Sequence, residues 1–212
     1  DHSLSGSNRR YRYTFDMLGE AALTTADADR YFEAYRTAVG ALRARVGEYA
    51  DFEARPSISV KLSALHPRFC RAQRERVLTE LTPKLITLAR LAKDYDIGFA
   101  IDAEEADRLE ISLDLLARLA GEPALADWDG LGFVVQCYQK RARPTVDWIV
   151  ALARQHRRRL MLRLVKGAYW DAEIKRAQVD GLADFPVYTR KAHSDLCYLA
   201  CTRRLLAAPD AV

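Results

Sequence analysis

The chain has 212 residues, half of them hydrophobic and 29% charged, with a formal net charge of +4. That length accommodates one sizeable core, and the composition is that of a folded globular protein rather than a disordered one. The small positive excess is scattered over arginines, which excludes a block-charged nucleic-acid binder, and no apolar run approaches the roughly 20 residues of a membrane span.

The opening residues do not read as a basic-then-apolar leader. Cys70, Cys137, Cys197 and Cys201 form no CxxC pair, so reduced thiols and a cytoplasmic setting are expected.

In chain order, Asp1 to Arg10 is polar and expected to be disordered, and residues 11–212 read as one domain with no long linker. A lead-in helix comes first, capped by Thr24 or Thr25, with Tyr31, Tyr35, Ala38 and Leu42 on one face and Gly47 at its end. The first strand is Ile58 to Leu65. A long helix runs from Arg71 to about Asp94, with a kink or restart near Thr82 because Pro83 lies inside it.

The second strand is Ile97 to Ala103, followed by a helix through Leu109, Leu113 and Leu116 that stops at Gly121. The third strand is Leu131 to Tyr138, and its helix runs from about Pro144 to Arg154. The fourth strand is Leu160 to Val165; a short helix from about Asp171 and a last helix over roughly Tyr188 to Leu206 complete the chain. About four βα units alternate, the pattern of a parallel α/β sheet.

Either an open doubly wound sheet or part of a (βα)8 barrel fits. Polar side chains fall toward the carboxyl ends of the strands: Lys61 and Ser63, Asp102 and Glu104, Gln136, then Arg163 and Lys166. Convergence from several strand ends is the mark of a barrel's catalytic face, and the glycine fingerprint of a dinucleotide fold is missing after the first strand. A partial, TIM-like barrel is therefore expected, with Val60, Leu62, Val135 and Leu162 facing its interior.

Three stretches carry the chemistry. In Arg163-Leu164-Val165-Lys166-Gly167-Ala168-Tyr169-Trp170, two cations, a glycine and two aromatics follow an apolar strand. Gly167 permits close backbone approach, and the following helix start offers free N–H groups to a phosphate. In Ile101-Asp102-Ala103-Glu104-Glu105, two carboxylates two residues apart share a side and can pair with Lys61 or Arg163. In Ser59-Val60-Lys61-Leu62-Ser63, a lysine among apolar residues must be paired or reactive.

His193, Cys197 and Cys201 lie at helical spacing, but one ion cannot bridge two helical turns, so no metal site is assigned. His66 reads as a turn histidine, Trp128-Asp129-Gly130 as packing, and Arg157-Arg158-Arg159 as a solvated turn.

Together these segments resemble the proline dehydrogenase family, especially the bacterial bifunctional proline-utilisation flavoenzymes. The matching stretches are Tyr-Thr-Phe-Asp-Met-Leu-Gly-Glu at 13–20, Val-Lys-Leu-Ser-Ala-Leu-His-Pro at 60–67, Ile-Asp-Ala-Glu-Glu at 101–105, Val-Val-Gln-Cys-Tyr-Gln-Lys-Arg at 134–141 and the run from Arg163 to Gln178. Val187-Tyr-Thr-Arg-Lys191 follows.

The resemblance implies a distorted (βα)8 barrel that oxidises L-proline to Δ1-pyrroline-5-carboxylate, with hydride transfer to FAD and electrons passed to membrane quinone. It further implies a cytoplasmic enzyme, peripheral at the inner membrane in its full-length form. Arg163 matches the arginine beside flavin N5. Val134, Gln136, Val165, Lys166, Gly167, Ala168, Trp170 and Thr189 match FAD contacts. Lys61, Asp102, Leu164 and Tyr169 match residues around proline, and Glu20 matches an acidic residue at the pocket entrance; Arg163, Asp102 and Lys61 are the catalytic candidates.

The family's carboxylate-gripping arginine pair and strands five to eight fall outside this sequence. The segment is thus expected to be the first half of the barrel, inactive alone and completed by a C-terminal half. Two other functions stay open: an aldolase-like enzyme using Lys61 or Lys166, and a fragment that acts only by association.

Overall fold

The computed structural model describes residues 13–17, 19, 21–44, 46 and 55–212. Among them the order is β1 (Thr14–Asp16), α1 (Thr25–Arg43), β2 (Ser57–Val60), α2 (Leu62–Leu65), α3 (Arg74–Asp94), β3 (Gly98–Ile101) and α4 (Leu109–Ala120). Then follow β4 (Leu131–Gln136), α5 (Ala142–Gln155), β5 (Met161–Val165), α6 (Trp170–Val179) and α7 (Lys191–Leu206). The five strands form one parallel sheet in sequential order. Parallel neighbours need a crossover, and α1, α3, α4 and α5 supply one between each successive pair.

The sheet's two faces differ in chemistry. Phe15, Ile58, Val60, Phe99, Ile101, Leu131, Phe133, Val135, Leu162 and Leu164 pack into the main core with α1, α3, α4 and α5. The register places Ser57 beside Gly98, Ser59 beside Ala100, Ala100 beside Gly132, and Val134 beside Arg163 on the opposite face.

That opposite face is concave. Arg163 on β5 donates from Nη2 to Ser59 Oγ on β2 at 3.1 Å. On a flat sheet three strand spacings would separate the two strands by roughly 14 Å, far beyond one arginine's reach. Small residues on the interior make the bend possible: a Cβ on Gly132 would lie 2.7 Å from the Met161 carbonyl oxygen, and one on Gly98 would lie 2.8 Å from Ser57 Cβ.

Several expectations change. A three-residue strand, too short for a periodic signal, precedes the expected lead-in helix, so α1 is a crossover between β1 and β2. Thr24 caps it through a reciprocal box with Asp27, which satisfies two end groups at once. Ala28, Tyr35, Val39 and Leu42 form its buried stripe; Gly47 lies outside the described residues, as do Asp1 to Arg10.

The first expected strand is really two elements, because the chain leaves β2 at Lys61 and turns into α2. Pro83 sits within α3 without dividing it. Val60, Val135 and Leu162 face the helices, not the interior, since they alternate with Ser59, Val134 and Arg163. Leu62 lies in α2 and is buried in the same core. Arg158 is not a solvated turn residue: its guanidinium donates to the carbonyls of Ala120, Leu125 and Trp128 and ties α4 to the start of β5.

At Gly132 an added Cβ would meet backbone, which cannot swing aside as a side chain can. Gly132→Ala should destabilise the fold by about 1–3 kcal/mol, the range for overpacking, with the loss measured by urea unfolding. A neutral substitution would mean that β4 and β5 are free to separate.

Candidate active site at the carboxyl ends of the strands

The interior row of small residues ends in charged ones. Lys61, just past β2, is nearly buried, and its Nζ donates to Asp16 Oδ2 at 2.8 Å and to Asp102 Oδ2 at 2.9 Å. The other Asp102 oxygen, Oδ1, accepts from Arg163 Nη2 at 3.0 Å. Asp16 ends β1, Lys61 follows β2, Asp102 follows β3 and Arg163 lies on β5, so four strands contribute to one chain of alternating charge. The Lys61 backbone N–H donates to the Tyr35 hydroxyl at 3.1 Å.

Burial pulls the Lys61 ammonium toward deprotonation, but the hydrogen bonds to Asp16 and Asp102 outweigh it and hold the pKa above its ordinary value. Lys61 is therefore a fixed cation. Burial also pushes the Tyr35 hydroxyl up to about 12, keeping it neutral.

Glu104 does not join Asp102. The chain leaves the extended conformation after β3, so strand alternation no longer applies, and Glu104 turns back into the protein. There its Oε1 accepts from Ser63 N at 2.9 Å and its Oε2 from Arg108 at 2.6 Å. Burial raises its pKa against those hydrogen bonds.

The loop after β5 is held from below. Gln136 spends both ends of its amide: Nε2 donates to the Glu104 carbonyl at 2.8 Å, and Oε1 accepts from Ala168 N at 2.9 Å. Gly167 adopts φ +145° with the Tyr138 ring against its α-carbon, so no side chain fits. Lys166, Gly167 and Ala168 are exposed and Val165 half-buried, while Lys166 turns toward α7 to pair with Asp195 at 2.6 Å. Trp170 is exposed, its indole N–H donating to the Tyr188 carbonyl at 2.9 Å.

Among the residues singled out from sequence, Lys61, Asp102 and Arg163 meet directly. Val134 shares their face but is buried beside Arg163, and Tyr169 sits half-buried at the start of α6. Leu164 has the opposite parity to Arg163 and packs with the helices. Thr189 is exposed on the loop before α7, and Glu20 lies outside the described residues.

His66 is buried away from this row, between Glu80 and the Arg68 backbone N–H. His193 is exposed in the first turn of α7, while Cys197 and Cys201, one and two turns further on, are buried, and among the described residues no His, Cys, Asp or Glu group is placed to hold a metal ion. Sequence reasoning missed Asp16 as a site residue. It stands in the quoted Thr-Phe-Asp run, but nothing in so short a strand signals which way its carboxylate points.

A bent parallel α/β sheet whose strand ends converge on a buried lysine, two carboxylates and an arginine is the build of an α/β enzyme with its site at the carboxyl edge. The comparisons with known proteins specify which kind. The proline dehydrogenase family pattern matches residues 2–212, and the chain belongs to that family.

It is 58% identical over 202 residues to bifunctional protein PutA of Escherichia coli, covering 95% of this chain and 15% of that protein. It is 28% identical over 156 residues to proline dehydrogenase 1 of Bacillus subtilis, covering 74% and 43% respectively. A crystal structure of a Bradyrhizobium japonicum proline utilization A (PutA) mutant superposes with a TM-score of 0.91 at 57% identity, over 94% of this chain and 21% of that one. The chain thus spans a minor part of the length of these relatives.

The charge chain has a thermodynamic signature. In urea unfolding, the Lys61→Met, Asp102→Asn double variant should be less destabilised than the sum of the two single variants, by about 0.5–3 kcal/mol. Strict additivity would show that the two side chains do not interact in solution.

Proposed function

We propose that the chain is a segment of a flavin-dependent proline-oxidising domain, the first part of a TIM-like (βα)8 barrel, converting L-proline to Δ1-pyrroline-5-carboxylate. Family membership supports the reaction class. The observation that carries the site assignment is Arg163: its Nη2 is fixed by Asp102 and Ser59, while its side chain keeps 37% of its surface exposed. A guanidinium held in place in this way has further N–H donors to offer, and a flavin ring, with acceptors along one edge, would accept from them.

The exposed backbone from Lys166 to Ala168 and the exposed Trp170 fit the same group. Gln136 holds that loop from below, and Val134, Val165 and Thr189 complete the proposed FAD contacts. Bound FAD would supply the acceptor for the hydride removed from proline, and membrane quinone is the proposed onward acceptor.

The chain's own residues would do the rest. Arg163 would stabilise negative charge that accumulates beside it, a contribution of the preorganised, water-excluded kind. Lys61, charged and bracketed by carboxylates, would orient substrate as a hydrogen-bond donor, with Asp102 beside it and Tyr169 at the wall. Glu20 and Leu164 belong to the proposed pocket by family resemblance alone.

The aldolase-like alternative is weaker on physical grounds. An imine-forming lysine must reach its neutral form, whereas both Lys61 and Lys166 are stabilised as cations by carboxylates.

In the polypeptide that carries this segment within a complete domain, Arg163→Met should lower the flavin reduction potential and slow proline-dependent reduction by about 10²-fold. Stopped-flow absorbance and potentiometry read both; an unchanged potential and rate would remove Arg163 from the flavin. The 212-residue segment alone should show no proline-dependent dye reduction, because five parallel strands leave β1 and β5 at open edges and one wall of the site unbuilt. Turnover by the purified segment would overturn that expectation.

A further inference from the structure

We propose that Asp16 is a positioning residue for Lys61, and that the short strand β1 serves to deliver its carboxylate there. The functional weight of this inference rests on reading Lys61 as a substrate-pocket residue; its physical content does not.

The need for a second carboxylate follows from how Asp102 is used. Its two oxygens serve two different cations, Oδ2 for Lys61 and Oδ1 for Arg163. One negative charge divided between two positive ones would leave a net cation in a row where Lys61 is 8% exposed at its side chain. Asp16 brings the four-residue chain to neutrality. It also reaches Lys61 Nζ from the side opposite Asp102, because β1 and β3 flank β2, so the ammonium is bracketed rather than drawn to one neighbour.

The register makes this placement specific. Asp16 pairs with Ser59, and Lys61 follows two residues later on the same face. Side chains at such diagonal positions are within reach of one another when one of them is long. The other groups facing Lys61 are the neutral Tyr35 hydroxyl against its backbone and, through Asp102, the Arg163 guanidinium; Glu104 is committed to Ser63 and Arg108. Asp16 is therefore the only carboxylate among the described residues that is committed to Lys61 alone.

The opposing description is an ordinary ion pair: the Asp16 side chain is 45% exposed, and exposed pairs contribute little. The two differ in what Lys61 does when Asp16 loses its charge. If Asp16 positions and holds the cation, its loss leaves only Asp102, which Arg163 shares, to oppose burial, and the amine deprotonates at lower pH. If it does not, Lys61 is unaffected.

The test is competitive acylation of Lys61 by acetic anhydride across a pH series on the 212-residue chain, read by peptide mass spectrometry. Asp16→Asn and, as a second neutral variant, Asp16→Ser should move the midpoint of Lys61 labelling to lower pH. At one fixed alkaline pH below the wild-type midpoint they should raise its rate about tenfold, the effect of one pH unit. Asp16→Glu should restore the wild-type profile. Thr14→Ala, which removes the Ser57 to Thr14 hydroxyl contact on β1, should leave it unchanged.

A higher plateau with an unmoved midpoint in both neutral variants would mean greater access only and would overturn the proposal, as would an equal shift in Thr14→Ala. No proline or flavin enters the measurement. A shifted profile in a protein whose complete domain fails to oxidise proline would sink the functional reading and leave this one standing.

Discussion

The Asp102 carboxylate, shared between Lys61 and Arg163, is the contact on which the rest of the site depends. It lies between side chains from strands that are not neighbours, and it is satisfied only if the sheet bends far enough to bring β5 over β2. The Asp102 carboxylate and the Lys61 ammonium, both largely withdrawn from water, would each carry a desolvation penalty of several kcal/mol if unpaired, whereas Arg163 keeps about a third of its side chain exposed. Pairing them in one row offsets that penalty and couples the site's electrostatics to the curvature of the fold.

The bend in turn constrains residues that carry no chemistry. Gly98 and Gly132 are small because Met161 comes close to both, Ala100 sits beside Gly132, and Ser57 and Ser59 complete a row that leaves room above it. The outer face takes the opposite composition, with phenylalanine, isoleucine and leucine filling the layer under α3, α4 and α5. Most hydrophobic burial therefore lies between sheet and helices, and the interior is free to be polar. The polar row and the main apolar core lie on opposite faces of the same strands.

The second layer of the site works through backbone anchoring. Gln136 and Tyr138, on either side of Cys137, grip the loop after β5 from below, one through a hydrogen bond to Ala168 and the other by ring contact with Gly167. Glu104 and Glu173 hold the turn after β3 by accepting from the backbone of Ser63 and Ala106. These buried carboxylates could be mistaken for catalytic groups in the sequence, yet their partners are main-chain N–H groups and a neighbouring arginine. Such contacts lock loops in place, while the charges of the Asp16–Arg163 row lie on the concave face.

The alternation of strands and helices, the helix stripes and the ordered motifs were readable from sequence because they are local: periodicity and residue type report which face is apolar and which strand end is charged. Lys61, Asp102 and Arg163 were singled out in the same way, as charges in otherwise apolar surroundings. What stayed hidden is whatever depends on residues far apart in the chain meeting in space. The strand Thr14–Asp16 is too short to show a period, and it is recognised only by its pairing with β2. The faces taken by Val60, Val135, Leu162 and Leu164 follow from the direction of sheet curvature, which no single strand encodes. Asp102's bond to Lys61 rather than a partnership with Glu104 was settled by the point at which the chain leaves β3. Sequence determined which groups need partners; the tertiary structure decided which partners they have, because pairing energies act across the bend of a sheet and not along the chain.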